Sequence, residues 1–206
     1  MRAAGQSYAQ GKGTLQVSVP QPRFHQEPLV ELFSRQGWTV PEFTSVEQCD
    51  LPGDVAPFFD HDLSMTSRLE SLFGPPVRIK VLAVHHTHSI YRRLVLLEKP
   101  NVEAPLLLGA IDIHLDRFEN PVRHAIEQAQ QPFGRILKEM TVQHGYHPNA
   151  FFSFHPSAEI TSLLATDARS LLYGRRKVVL GEGDRVLAVV TEIPARYRLG
   201  PRPADV

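Results

Sequence analysis

The stretch "VRIKVLAVHHTHSIYRRLVLLEKPNVEAPLLLGAIDI", residues 77–113, decides the fold class. It contains three runs rich in leucine and β-branched residues, which are separated by short polar segments. Short connections join strands that run in opposite directions, whereas parallel strands need longer crossovers. The stretch therefore predicts an antiparallel meander of three strands.

A second pair of strands is predicted in residues 175–194. The runs "KVVL" and "VLAVVTEI" flank turn residues 181–184, a pattern that is typical of a hairpin. Alternate residues of a strand point to opposite faces, and both faces of the second run are largely apolar. This pattern predicts that the second run is a central strand of the sheet.

Three helices are predicted around these strands. In residues 62–73 apolar side chains recur at helical spacing, and Gly74 ends the pattern. We expect Asn120 to cap a second helix with Pro121 at its first helical position. Pro132 should separate that helix from a short third one in "FGRILKEM". Strands and helices together predict a single α+β domain with a mainly antiparallel sheet.

The two ends of the chain are predicted to lie outside this domain. Residues 1–45 are rich in glycine, small polar residues and proline, which predicts a weakly ordered N-terminal arm. Residues 197–206 place prolines among charged residues and are expected to form a frayed tail. The domain itself is assigned to residues 46–196.

Composition argues against several classes of function. The 206 residues include 22 Lys and Arg and 22 Asp and Glu, so the net charge is zero and nucleic acid is not an expected partner. The single cysteine, Cys49, cannot form an internal disulfide or a thiolate metal site by itself. No apolar run approaches the length of a membrane span, and the first residues lack the apolar core of a signal peptide. We therefore expect a cytoplasmic protein that does not bind membranes.

Charged residues within apolar strands require a partner. Arg92 and Arg93 are adjacent in "IYRRLVLLE", so one of them shares a strand face with apolar side chains. Glu192 lies near the end of the predicted central strand, where an isolated charge would cost several kcal/mol. Two explanations are open. One is a structural pair of arginine and glutamate, and the other is a cavity whose ligand both residues bind.

Histidines and aromatic residues are the other conspicuous groups. "HHTH" at 85–88 and "HGYH" at 144–147 could supply three histidines to a zinc ion. Since no carboxylate or cysteine completes a familiar ligand set there, no metal site is predicted. The aromatic segment "AFFSFHP" at 150–156 is expected to pack in the core or in a flap rather than to stack on bases.

Four segments in order along the chain resemble chorismate pyruvate-lyase, the enzyme that converts chorismate to para-hydroxybenzoate and pyruvate. They are "SMTSRLE" at 64–70, "RRLVLL" at 92–97, "QPFGRIL" at 131–137, and "LYGRRKVVL" with "VVTEIP" within 172–194. The resemblance implies a six-stranded antiparallel sheet with inserted helical flaps over an enclosed pocket. Effector domains of some bacterial transcription regulators also use this fold.

The resemblance also implies a set of site residues. Arg93 matches the arginine that binds the ring carboxylate, and Glu192 matches the glutamate that contacts the ring hydroxyl. These two are the predicted catalytic residues. Met65 matches a methionine of the pocket wall. Phe133, followed by Gly134, stands where the family has leucine, whose backbone amide contacts the bound acid.

The implied reaction needs no metal or redox cofactor, because formation of an aromatic ring supplies the driving force. The protein would hold the reactive conformer in a dry cavity and stabilise charge on the departing enolpyruvate. A guanidinium suits this task because it donates two parallel hydrogen bonds to a carboxylate. The implied partners are chorismate and the aromatic acid product, in ubiquinone or secondary-metabolite biosynthesis, with the protein a monomer or homodimer.

The chain departs from this family at one position, and other functions stay open. Ala110 follows Gly109 where the better-known lyases have arginine, so a second cationic contact would come from elsewhere. Arg92 is expected to face solvent or the opposite layer. Candidates for the second contact are Arg68, Arg135, Arg175 and Arg176. One alternative function is a ligand-binding effector domain of the same fold. Another is an enzyme that acts on a different carboxylated cyclic or aromatic compound.

Overall fold

A seven-stranded antiparallel sheet organises the described part of the chain. The computed structural model describes residues 28–61 and 63–195. The strands are β1 Thr44–Val46, β2 Arg78–His86, β3 Ile90–Glu98, β4 Leu107–His114, β5 Gly145–Phe154, β6 Leu172–Leu180 and β7 Val186–Pro194. The helices are α1 Pro28–Gln36, α2 Ala56–Phe59, α3 Met65–Phe73, α4 Asn120–Gln128, α5 Phe133–Glu139 and α6 Ala158–Leu164.

The strand order is β1-β5-β6-β7-β4-β3-β2, and all neighbouring strands are antiparallel. The predicted meander is β2–β3–β4 and the predicted hairpin is β6–β7, so the fold class is confirmed. The strand β7 lies between β6 and β4, which is the central place that its two apolar faces indicate. Six strands are long, as the resemblance implies, and the seventh is the three-residue edge strand β1.

The strand β5 is a finding that the sequence pattern did not predict. The segment at 150–156 was expected to be core or flap packing, and its phenylalanines are buried as the last residues of this strand. The register between β5 and β6 shifts between Pro148 and Ala150. This irregularity interrupts the period-two pattern by which strands are recognised in a sequence.

Helices cover both faces of the sheet. On one face, α1 and α6 pack on alternate residues of β3, β4 and β7. On the other face, α2, α3, α4 and α5 pack on the intervening residues. No helix within the described ranges is long and apolar enough to cross a membrane.

The predicted N-terminal arm is wrong for residues 28–36, which form α1. Leu29, Leu32 and Phe33 of this helix are fully buried against the sheet. Pro28 was read as an interruption, but proline is compatible with the first turn of a helix because it lacks only a hydrogen bond that the first turn does not make. The domain therefore includes α1. Residues 1–27 and the predicted tail lie outside the described residues.

The residues at which α3, α4 and α5 begin determine where these helices lie on the sheet. Ser64 caps α3 by accepting a hydrogen bond from the backbone amide of Ser67 at 3.2 Å. The fourth helix begins one residue earlier than predicted, because Glu119 is the N-cap and Asn120 is the first helical residue. The short helix α5 begins at Phe133 directly after Pro132, as predicted.

Candidate functional site

A cavity lies between one face of the sheet and the beginnings of α3 and α5. Its volume is about 600 Å3, which includes the part that opens to solvent. The structure brings all five residues of the predicted site to its lining: Met65, Arg93, Phe133, Gly134 and Glu192.

Two cross-strand rows form the floor of the cavity. The register aligns Arg93, Ile111, Val190 and Lys177 across β3, β4, β7 and β6, and we call this set the Arg93 row. The neighbouring set on the same face is the Glu192 row, formed by Val95, Gly109, Glu192 and Arg175. Residues directly opposite each other in paired strands share a face. The sheet therefore collects charged side chains from three strands on one surface.

Because Gly109 has no side chain, it leaves space above the sheet at the floor of the cavity. A Cβ atom at this position would lie 3.3 Å from both Leu107 Cδ2 and Val95 Cγ2. Any larger side chain would occupy space between these neighbours and the roof of the cavity. The neighbouring Ala110 faces the other way and is buried in the core beneath α1 and α6. An arginine at position 110 would not reach the cavity from that face.

Arg93 is buried in this cavity with incomplete hydrogen bonding. Its side chain is 1% exposed, and Nη2 donates to the backbone oxygen of Gln131 at 3.4 Å. Nε and Nη1 have no partner among the described residues. Burial lowers the pKa of Arg93, and contact with Tyr91 opposes that shift. A guanidinium stays protonated in proteins, so Arg93 is a lining residue of the cavity that carries two donors without partners among the described residues.

Arg92 occupies the opposite face, as predicted. Its Nε and Nη2 donate to the two carboxylate oxygens of Asp112 at 2.5 and 2.6 Å, and Glu31 of α1 lies 3.5 Å from Nη1. The bond to Asp112 raises the pKa of Arg92. Arg92 therefore joins the sheet to α1 and has no part in the cavity.

Glu192 is paired with Arg175, one of the four arginines considered for the second cationic contact. Arg175 is 0% exposed, and its Nε and Nη2 both donate to Glu192 Oε2, at 3.0 and 2.7 Å. Its Nη1 donates to the backbone oxygen of Phe59 at 3.0 Å. Glu192 Oε1 makes no hydrogen bond within the described ranges. The structural pair, one of the two explanations considered for Glu192, is therefore present with Arg175, and Glu192 also lines the cavity.

Lys177 and Tyr146 line the cavity and were missed by sequence reasoning. Lys177 is 2% exposed, its Nζ donates to the backbone oxygen of Leu63 at 2.9 Å, and Nζ lies 3.9 Å from the ring centroid of Tyr146. Burial and the nearby charge of Glu192 raise the pKa of Tyr146 to about 12. The phenol is therefore neutral at ordinary pH. Period-two alternation of Arg175 and Lys177 along an apolar strand was the available signal.

The roof depends on close contact between α3 and α5. A Cβ atom at Gly134 would lie 2.6 Å from Ser64 Cβ, so only glycine fits at this contact. Arg135 forms an ion pair with Glu70, and Glu70 also accepts a hydrogen bond from the backbone amide of Val77 at 3.1 Å. These contacts join the two helices above the floor. They hold Met65 and Phe133 in position, and the two side chains form apolar walls of the cavity.

His61 lies beside the buried ion pair. Its Nδ1 accepts from the Leu63 amide at 3.1 Å, so the proton is on Nε2, which donates to Phe58 O at 2.8 Å. Arg175 Nη2 lies 3.5 Å from the same nitrogen. Burial, then the charges of Arg175 and Lys177, lower the pKa of His61 to about 4. The imidazole is therefore neutral near pH 7.

The histidine clusters form other contacts. The ring of His86 packs edge-on against Tyr91 at a centroid distance of 5.8 Å, and His144 Nε2 lies 3.1 Å from the hydroxyl of Tyr146. Within the part of the chain that the structure describes, no group of three metal-binding side chains lies close enough to hold an ion.

The chain has the fold of an effector domain. Superposition on the effector domain of PhnF from Mycobacterium smegmatis gives a TM-score of 0.51 at 12% identity, over 66% of this chain and 90% of that one. The predicted fold, which the resemblance described as common to lyases and effector domains, is thereby confirmed. At this identity the likeness concerns the fold alone.

Two other solved structures match more loosely. The C-terminal domain of the histidine utilization repressor from Pseudomonas syringae gives a TM-score of 0.43 at 12% identity, over 63% of this chain and 100% of that one. A GntR-family transcriptional regulator from Bacillus cereus gives 0.43 at 9% identity, over 59% and 92%. No protein-family model matches the sequence, and no curated protein matches it significantly.

Proposed function

We propose that the cavity binds a small cyclic or aromatic carboxylic acid through Arg93, and that the protein is a chorismate pyruvate-lyase. One observation carries the proposal. Arg93 is buried with two guanidinium nitrogens that lack partners among the described residues, on the cavity that Glu192 also lines. A buried cation without a counter-ion is costly, and a ligand carboxylate would remove that cost.

The surroundings of Arg93 suit a planar acid. A carboxylate can accept two parallel hydrogen bonds from the fork of a guanidinium, and such charge-assisted pairs are the strong ones. The walls nearby are apolar, with Met65, Phe133 and Ile111 among them. The site therefore combines one charged anchor with a surface that favours a ring.

Glu192 supports a second contact to such a ring. Arg175 holds one carboxylate oxygen of Glu192, while Oε1 is left without a hydrogen bond by the described residues. An ion-paired carboxylate accepts hydrogen bonds and does not donate them. In the proposed reaction Glu192 therefore orients the ring hydroxyl of chorismate as an acceptor.

The proposed chemistry is an elimination within the bound substrate. The ether bond between ring and enolpyruvyl group breaks with its electrons on the departing oxygen. The hydrogen on the hydroxyl-bearing carbon is lost as a proton, and the electrons of its bond form the ring double bond that completes the aromatic ring. Protonation of the enolpyruvate carbon then gives pyruvate. The cationic side chains around the cavity favour the charge that develops on the departing group.

A ligand-sensing role is the second candidate. It is favoured by the fold likeness to the PhnF effector domain, which covers 90% of that domain. In this alternative the same cavity binds an acid without converting it. The two candidates share the carboxylate anchor and differ only in turnover.

One experiment separates them. The purified chain is incubated with chorismate in buffer containing a chelator, and pyruvate and para-hydroxybenzoate are quantified against a blank without protein. Matched samples contain Arg93→Met, and Arg35→Ala as a control on an exposed side chain. The lyase predicts equal amounts of both products, made by wild type and control but not by Arg93→Met.

Binding is measured in parallel by titration calorimetry with benzoate and para-hydroxybenzoate. Binding that depends on Arg93, without product formation, would favour the sensor over the lyase. If neither acid binds to the wild-type protein and no product forms, the proposal of a carboxylate site is wrong.

A further inference from the structure

We infer that Tyr146 and His144 form a proton relay, which carries the proton lost from the ring of the substrate to the carbon of the departing enolpyruvate. The inference rests on the proposed function and extends it to the side chains that move the proton. In the proposed reaction one proton leaves the ring and one proton is added to form pyruvate. Glu192 orients the ring hydroxyl in that reaction, whereas the relay carries out both transfers.

The first support is a hydrogen-bonded chain that runs from the cavity wall to a partly buried histidine. Tyr146 lines the cavity, and its hydroxyl oxygen lies 3.1 Å from His144 Nε2. On the other side of the imidazole, Nδ1 lies 2.7 Å from the backbone oxygen of Val142. A carbonyl oxygen only accepts, so in the neutral ring the proton is on Nδ1 and Nε2 accepts from the Tyr146 hydroxyl. The Tyr146 proton can therefore pass to His144 without movement of either ring.

The second support is the end of the cavity at which Tyr146 lies. Arg93 extends from β3 and Tyr146 from β5, and three other strands separate these two in the sheet. Arg93 binds the ring carboxylate in the proposed function, and the hydroxyl-bearing carbon is on the opposite side of the ring. After burial, the charge of Glu192 is the next cause that raises the pKa of Tyr146, so the two side chains lie close together. A ring hydroxyl that contacts Glu192 therefore places its carbon at the end of the cavity where Tyr146 lies.

The third support is how the phenol is held. Lys177 Nζ lies 3.9 Å from the ring centroid of Tyr146, and the ring of His144 packs edge-on against it at a centroid distance of 5.1 Å. A Cβ atom at Gly134 would lie 3.6 Å from the Tyr146 hydroxyl oxygen, so this hydroxyl is beside the beginning of α5. A group that is already in position before the substrate binds transfers a proton more readily than a mobile one.

The first transfer follows cleavage of the ether bond, which leaves a cationic ring and an enolate. The C–H bond of the hydroxyl-bearing carbon breaks, and its electrons complete the aromatic ring. Its proton binds the Tyr146 oxygen while the Tyr146 proton moves to His144 Nε2. The products of this step are the aromatic acid, a neutral tyrosine and an imidazolium. A cationic ring holds its proton weakly, so a neutral phenol hydrogen-bonded to an imidazole is a sufficient base.

The second transfer restores the relay. The proton on His144 Nε2 returns to the Tyr146 oxygen, and the proton that came from the ring passes from Tyr146 to the enolpyruvate carbon. The electrons of the enolate double bond form the new C–H bond, and an oxygen lone pair forms the carbonyl of pyruvate. Both side chains end as they began, and no other reactant is consumed.

Turnover and binding together distinguish a relay from a structural role. The kcat is measured from the products formed from chorismate, and affinity for para-hydroxybenzoate is measured by titration calorimetry on the full chain. We expect Tyr146→Phe, which removes only the hydroxyl, to lower kcat about 100-fold or more while affinity changes by less than about threefold. His144→Gln should lower kcat about tenfold or more. Tyr173→Phe and His147→Gln are matched controls outside the described lining of the cavity, and both should keep the wild-type kcat.

A labelled substrate shows the path of the proton. Chorismate with deuterium on the hydroxyl-bearing carbon is converted by wild type, Tyr146→Phe and His144→Gln. Pyruvate is reduced to lactate as it forms, so that its methyl group does not exchange with water, and the lactate is analysed by mass spectrometry. We expect deuterium in the methyl group of lactate from wild type, and a lower fraction of it with both variants.

Three results would overturn the relay while wild type still makes both products. They are a wild-type methyl group without deuterium, an equal fraction of deuterium with Tyr146→Phe, and an unchanged kcat of Tyr146→Phe. If Tyr146→Phe does not fold, His144→Gln and the labelled product of wild type decide the question. If wild type forms no product from chorismate, the proposed function is wrong and the relay fails with it.

Discussion

Arg175 donates two hydrogen bonds to the same oxygen of Glu192, at 3.0 and 2.7 Å, and neither side chain is more than 5% exposed. Removing one partner of such a pair leaves a buried charge without compensation. We expect Arg175→Met to lower the free energy of unfolding by about 3–5 kcal/mol, measured by urea denaturation.

Arg35→Ala, which breaks an exposed pair with Glu31, should cost less than about 1 kcal/mol. Replacing both partners, as in Arg175→Met with Glu192→Leu, should recover most of the loss. A single variant as stable as wild type would contradict this account.

Substitution of the adjacent residues Arg92 and Arg93 should have opposite effects on stability and on benzoate affinity. Arg93→Met removes a buried cation that lacks a carboxylate partner, so stability without ligand should be unchanged or higher, while affinity for benzoate falls by about 2–5 kcal/mol. Arg92→Met leaves Asp112 unpaired, so stability should fall while benzoate affinity is kept. Thermal unfolding and calorimetry on both variants provide the four values. If Arg92→Met lost affinity and Arg93→Met did not, the assignment of the two faces would be wrong.

The absence of a side chain at Gly109 should be required for ligand binding. Gly109→Val adds an isopropyl group to the cavity floor, next to Val95 and Leu107. We expect ligand affinity to fall because the added group occupies space above the floor, and overpacking should lower the free energy of unfolding by about 1–3 kcal/mol. Gly53→Val is the control, because nothing lies within 4 Å of a Cβ atom at that exposed position. An unchanged affinity in Gly109→Val would show that the ligand does not reach the floor.

Contact between α3 and α5 can be tested by a pair of substitutions. Gly134→Ala places a Cβ atom 2.6 Å from Ser64 Cβ, so the helices must separate and stability should fall by about 1–3 kcal/mol. Ser64→Gly alone should cost only a few tenths of a kcal/mol, because glycine is a tolerated N-cap. Combining the two should restore stability relative to Gly134→Ala. The double-mutant cycle is read from urea denaturation, and purely additive effects would argue against direct contact.

Stability should depend on the ionisation of His61. Its folded pKa of about 4 lies below the ordinary value of 6.5, so between these values the unfolded chain binds a proton that the folded chain excludes. The contribution is fully present above pH 6.5 and is lost as pH falls towards 4. Because the ring is partly exposed, we expect only about 1 kcal/mol. It is measured as the difference in pH profile between wild type and His61→Gln. Superimposable profiles would show that His61 keeps an ordinary pKa.

The strands that were predicted from sequence are those whose pattern is local. The strands β3, β4 and β7 are continuous apolar runs with short connections, so their existence and direction follow from the chain itself. The strand β5 is irregular near Pro148, and its pairing with β6 involves residues far along the chain. Such tertiary pairing overrides local preference. The helix α1 was missed for the related reason that burial of three apolar residues stabilises a segment that begins with proline.

The site residues, like the strands, could be predicted only where the sequence pattern around them is local. Glu192 stands out as a single charge among apolar neighbours, and Arg93 stands out because one of two adjacent arginines must share a strand face with apolar side chains. Lys177 does not, because it follows two arginines and resembles part of a solvated charge cluster. Only the pairing of β6 with β7 shows that Arg175 and Lys177 share the face that Arg93 reaches from β3. The sequence pattern therefore indicates Arg93, but it does not indicate that Arg175 and Lys177 lie on the same face of the sheet.

The two arginines of β3 also affect how the sheet can misfold. A shift of β3 by one residue along β4 would place Arg93 opposite Asp112 and turn Arg92 towards the cavity, so the charges alone barely distinguish the two alignments. The connection to β2 fixes the alignment of β3 with that strand, because Thr87 N donates to Ile90 O at 2.9 Å and Ile90 N donates to Thr87 Oγ1 at 3.1 Å. A one-residue slip of β3 would therefore break the hydrogen bonds of this turn unless β2 moved with it.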